Sequence, residues 1–71
     1  MANLHHTANT IPLDTPSDLN SAIHQLEVFT AKGNSLPEGF SAKQEYLKAA
    51  ETLQERITTK LMGSDNNSKI V

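Results

Sequence analysis

The sequence contains no cysteine and no tryptophan, and it has one tyrosine and two phenylalanines among 71 residues. Without cysteine, the chain has neither a disulfide to stabilise it nor a thiolate ligand for a metal ion. It also lacks an apolar run near the roughly 18 residues that a membrane span requires. The first ten residues show neither the basic nor the apolar segment of a secretory signal. These absences predict a cytoplasmic protein with no membrane segment.

An excess of positive charge is lacking as well. Six Lys and Arg residues stand against eight Asp and Glu residues, which gives a formal net charge of −2 and a pI near 5.8. The basic residues of the second half of the chain are interleaved with glutamates and form no stripe of one sign. Neither nucleic acid nor an anionic membrane is therefore an expected partner.

A first amphipathic helix is predicted over residues 16–32. Thr15 suits the N-cap position, Pro16 suits the first helical position, and Asp18 lies where a carboxylate meets the positive end of the helix dipole. Apolar residues then recur at steps of three and four. Gly33 is typical of the residue just past a helix end.

A second and stronger amphipathic pattern predicts a helix over residues 42–62. Ser41 suits its N-cap, and Gln44 lies three residues further on, where it can complete a capping box. Gly63 is the expected end of this helix. The connection between the two helices is short, which favours antiparallel packing.

The fold class predicted from these patterns is all-α: an antiparallel two-helix hairpin over residues 15–63. Residues 1–14 contain few apolar side chains and no evident helical period, and are predicted to be a flexible N-terminal arm. Residues 64–71 are polar in their first part and are predicted to be a disordered C-terminal tail.

The apolar residues of such a hairpin are too few to stabilise it alone, and each apolar stripe is left half covered. The simplest solution is association into a dimeric four-helix bundle or a higher helical oligomer. The residues predicted to serve this self-association, or the binding of another protein, are the large apolar ones of both helices and their connection: Leu19, Ile23, Leu26, Phe29, Leu36, Phe40, Tyr46, Leu47, Leu53, Ile57 and Leu61.

The connecting segment carries two large apolar residues, Leu36 and Phe40. One interpretation is that both fold back and close the loop end of the hairpin. The other is that they form an exposed tip that contacts a partner. The sequence leaves both interpretations open.

No pattern of catalytic or metal-binding residues stands out. His5 and His6 are adjacent and have no further ligands nearby in the sequence, so no metal site is predicted. Glu51 and Glu55 share one helix face, but that face is polar and includes Lys48, which is typical of a solvated surface. The sequence has no nucleophile turn, so the protein is predicted not to be an enzyme and to need no cofactor.

The layout resembles that of small helical-hairpin secretion co-chaperones and of phage-encoded inhibitors, in architecture alone. The predicted function is that of a non-catalytic protein-binding module, such as an adaptor, small chaperone or inhibitor. It would act through the apolar faces of the hairpin on itself and on an unidentified protein. The alternative is an oligomer that sequesters a small ligand or a metal at its subunit junctions.

Overall fold

The computed structural model describes the backbone of residues 4–68 and the side chains of residues 4–62. This part of the chain forms three α-helices and no strand: α1 over Leu4–Thr10, α2 over Pro16–Ser35 and α3 over Ser41–Ser68. The all-helical class is confirmed, but the architecture has one helix more than the sequence pattern predicts. Both α1 and α2 pack on α3, which is the central element.

The start of α2 follows the local prediction. Thr15 Oγ1 accepts a hydrogen bond from the Asp18 amide at 3.0 Å, and Asp18 Oδ2 accepts one from the Thr15 amide at 3.2 Å. Together with Pro16 in the first turn, these bonds form a capping box. Because all of its partners lie within three residues, the box depends on local sequence alone.

The end of α2 differs from the prediction, because Gly33 lies inside the helix and is buried. A Cβ atom at this position would lie 2.6 Å from Leu47 Cδ2 and 2.9 Å from Leu47 Cγ. The missing side chain thus allows α2 and α3 to approach closely. The backbone freedom of glycine is used instead at Gly39, in the connection, where φ is 92°.

Lys43 of α3 stabilises the C-terminal end of α2. Its Nζ donates to the carbonyl oxygens of Gly33 and Leu36, both at 3.0 Å. The last carbonyls of a helix have no partner within the helix, and a cation there also meets the negative end of the dipole. A side chain of α3 therefore stabilises the connection between α2 and α3.

Both ends of α3 differ from the predicted helix over residues 42–62. Ser41 is the first helical residue rather than the residue before the helix, and the Phe40 carbonyl accepts from the Lys43 amide at 3.0 Å. The helix continues past Gly63 to Ser68, since one glycine costs a helix only about 1 kcal/mol relative to alanine. The helix thus extends over residues 64–68 of the segment predicted to be a disordered tail, and the last three residues lie outside the described part of the chain.

Within the segment predicted to be a flexible arm, residues 4–10 form α1, which packs on α3. Ala8 and Leu13 are buried, and an Arg56 guanidinium nitrogen donates to the Ala8 carbonyl at 2.6 Å. A seven-residue helix is not stable alone in water, so α1 depends on this docking. This docking is a tertiary contact, and the helix propensity of residues 4–10 does not predict it.

The core is thin and rich in alanine. Four of its eight buried apolar residues are alanines, and Leu53 is the only large side chain among them that is fully buried. Phe29 of α2 and Tyr46 of α3 extend it, with ring centroids 6.3 Å apart and planes tilted by 49°. Small side chains bring the helices close together but bury little apolar surface in each contact.

Candidate protein-binding surface

The residues predicted for association do not form a single site. Three are buried in the core of the protomer: Phe29, Leu53 and Ile57. Five are partly buried: Leu19, Leu26, Leu36, Tyr46 and Leu47. Three are exposed: Ile23, Phe40 and Leu61. Part of the predicted surface is therefore already covered within one chain, and the remainder is available for contact.

Two of the exposed residues lie on the side of their helices that faces away from α1. On α2, Gln25 lies on the side near α1, where it lines a groove between the two helices. Ile23 lies about 160° around α2 from Gln25. On α3, Arg56 bonds to α1, and Leu61 lies about 140° away from it. Leu47 lies about 180° from Arg56 and is on this side as well.

These positions place α1 on one side of the α2–α3 pair, where it packs on α3. We call the uncovered side the open face, defined by its apolar residues: Leu19, Ile23, Leu26, Leu47 and Leu61. Leu19 and Leu26 lie within one turn of Ile23 and are half buried against the core. Ile23 is 39% exposed and Leu61 is 57% exposed, so the two residues form the accessible part of the face.

The apolar residues of the open face are flanked by exposed carboxylates: Glu27 lies about 40° around α2 from Ile23, and Glu51 lies about 40° around α3 from Leu47. Gln54 and Thr58, which are neutral, line one surface depression together with Glu51 and Glu55. Charged residues are depleted at the centres of protein interfaces, and a polar rim is normal. The open face therefore has an apolar centre and a polar, partly acidic rim.

The two apolar residues of the connection, Leu36 and Phe40, differ in exposure. Phe40 is 54% exposed, so it does not close the end of the structure as a buried side chain, whereas Leu36 is half buried. Phe40 is thus available for contact, at the opposite end of α3 from Leu61. The two exposed residues are about 30 Å apart along the helix, too far to belong to one small patch.

The side chains considered for chemistry are all at the surface. His5, His6 and His24 are exposed, and so are Glu51 and Glu55. Over the described residues, no group of three His, Cys, Asp or Glu side chains is placed to hold a metal ion. The geometry brings together apolar surface rather than reactive groups.

Sequence reasoning missed the contribution of α1 and of two basic side chains. Leu4, Ala8 and Ile11 follow one another at steps of four and three, which is a short helical stripe that could have been found. Arg56 and Lys43 could not have been singled out, because their acceptors are backbone carbonyls whose position depends on tertiary packing.

Comparison of the chain with protein-family models, with curated proteins and with solved structures found no match. Among the described residues, no helix combines the length and the apolar character needed to cross a membrane.

Proposed function

We propose that this protein is a non-catalytic protein-binding module that acts through the open face. The supporting observation is that α1 covers one side of the α2–α3 pair and leaves Ile23 and Leu61 exposed on the other. A second copy of the chain is the first partner that we propose for this face. A helix of another protein, with apolar residues at helical spacing, would use the same surface.

The energetic reason is the small core of the protomer. Full burial of a Leu or Ile side chain contributes about 1.5–3 kcal/mol, and the open face holds five such residues that are only partly covered. Two α2–α3 pairs joined by their open faces would form a four-helix arrangement with a two-fold axis, and each α1 would lie on its outside. Such an arrangement covers the apolar surface without moving any helix of the protomer.

The test is sedimentation equilibrium of the wild-type chain and of two charged variants at neighbouring positions. Leu61→Asp places a carboxylate on the open face. Met62→Asp places one about 100° further around α3, at a residue of nearly equal exposure, 55% against 57%. We expect the wild-type chain and Met62→Asp to associate at micromolar concentration, and Leu61→Asp to weaken the association at least tenfold.

A wild-type chain that remains monomeric up to about millimolar concentration, the range of non-specific contacts, would exclude self-association through this face. Equal weakening by both variants would show that the wrong side of α3 has been chosen. Native mass spectrometry of protein purified from its own source addresses the alternative function. A stoichiometric small molecule or ion at a subunit junction would favour sequestration over protein binding.

A further inference from the structure

A second concave surface lies between α1 and α2, on the opposite side of the molecule from the open face. Both helices pack on α3, but they make no close backbone contact with each other. The space between them is a groove of about 400 Å³. The groove is partly open to solvent and is not an enclosed cavity.

The lining of the groove is mainly apolar, and both helices contribute to it. Its apolar residues are Leu4, Ile11, Val28, Phe29 and Tyr46. Thr7 and Gln25 add neutral polar groups, and Lys32 adds the only charge among the described lining residues. The groove extends about 10 Å along α2 from Lys32 to Gln25, which is two helical turns. An apolar groove with a cation towards one end fits a linear amphiphile.

The charge of Lys32 is not neutralised within the described part of the chain. Its ammonium group makes no hydrogen bond and no ion pair there, and no carboxylate lines the groove. A ligand with one negative charge would therefore meet a complementary partner, while a cationic ligand would be repelled. The apolar lining provides no favourable contact for a small, fully hydrated anion.

We propose that this groove binds a linear monocarboxylate, of the class of medium-chain fatty acids. The alkyl chain would lie along Phe29, Val28 and Ile11, and the carboxylate would pair with Lys32. The proposal goes beyond protein binding and does not depend on it, because the open face and the groove lie on different sides of the α2–α3 pair.

The chain contains its own probe for this site. Tyr46 lines the groove, and it is the only tyrosine in a sequence without tryptophan, so the intrinsic fluorescence reports on this position alone. We would titrate the full chain with decanoate and with decanol, both below their aggregation concentrations. We expect saturable fluorescence changes with both, and tighter binding of decanoate.

Lys32→Gln tests the charge. We expect this variant to bind decanoate about fivefold more weakly, which corresponds to about 1 kcal/mol, and to bind decanol as the wild type does. Lys48→Gln, at an exposed position of α3 outside the groove, is the matched control and should change neither affinity. Val28→Asp, which places a carboxylate in a lining that has none among the described residues, should abolish binding of decanoate.

Three outcomes would overturn the proposal. The first is the absence of a saturable Tyr46 signal with either ligand. The second is an equal loss of decanoate affinity in Lys32→Gln and Lys48→Gln. The third is full retention of binding in Val28→Asp. The self-association of the wild-type chain is measured separately, so failure here leaves the proposed function of the open face intact.

Discussion

At the scale of single residues, Gly33 decides how closely α2 and α3 approach. Glycine inside a helix normally lowers stability relative to alanine by up to about 1 kcal/mol. At position 33 a larger residue would collide with Leu47, which occupies the space where a side chain would lie. The residue thus acts through packing and not through backbone conformation.

Gly33→Ala is expected to lower the free energy of unfolding by about 1–2 kcal/mol, since the crowding against Leu47 exceeds the gain in helix propensity. Urea unfolding followed by circular dichroism measures the change. The control is Asn34→Ala, an exposed position of the same helix, which should stay within about 0.5 kcal/mol of the wild type.

Repeating Gly33→Ala in a Leu47→Ala variant tests whether crowding against Leu47 causes the loss of stability. With Leu47→Ala present, the obstructing branch is gone, and Gly33→Ala should become neutral or stabilising. If Gly33→Ala were already more stable than the wild type with Leu47 intact, the close approach would not be the reason for the glycine.

At the scale of elements, α1 is the helix whose existence depends on its neighbour. It has seven residues, and neither an acidic first turn nor a basic last turn supports it. Isolated helices of this length are not stable in water. Its order comes from the burial of Ala8 and Leu13 and from the bond between Arg56 and the Ala8 carbonyl.

Ala8→Glu is therefore expected to detach α1 and to melt it, because Ala8 is fully buried and leaves no room for a charged side chain. The ¹³Cα chemical shifts of residues 4–10 should move to random-coil values, while those of α2 and α3 remain helical. Asn9→Glu is the matched control at the adjacent exposed position and should leave α1 in place. Helical shifts in both variants would show that α1 does not need this contact.

At the scale of the whole molecule, stability is concentrated in few side chains. A domain of 71 residues has a typical free energy of unfolding of about 4–11 kcal/mol. Leu53 is the one large side chain with no exposed surface among the described residues, and it lies at the centre of α3. Its loss should affect all three helices together.

Leu53→Ala is expected to cost about 2–5 kcal/mol, and Leu53→Asp should leave the chain unfolded. Thermal and urea unfolding at one fixed protein concentration measure both variants, because association would make stability concentration-dependent. Lys48→Ala, on the exposed side of α3, should change the free energy by less than about 0.5 kcal/mol. Equal losses from Leu53→Ala and Lys48→Ala would mean that the core is elsewhere.

Local sequence supports those predictions whose physical causes lie within a few residues of one another. The class, the start of α2 and most of the extent of α3 follow from signals within a few residues, such as the Thr15–Asp18 box and the spacing of Leu53 and Ile57. The two predicted helix ends at Gly33 and Gly63 were wrong. Glycine is common after helices, but its presence alone does not end one.

The candidate surface was only partly predictable for a related reason. Helical periodicity identifies which residues share a face of one helix, and it grouped Phe29 with Ile23 and Leu53 with Leu61. It does not say which element covers that face. Tertiary packing buried Phe29 and Leu53 and left Ile23 and Leu61 exposed.

The sequence by itself determined that the chain is helical and where α2 begins. These properties depend on propensities, caps and periods, which act over a few residues. Tertiary structure alone decided that α1 forms, that Gly33 lies at a close contact, and that one side of the α2–α3 pair is open. Each of these depends on which surfaces meet across long separations in the chain, as in the bond from Arg56 to the Ala8 carbonyl.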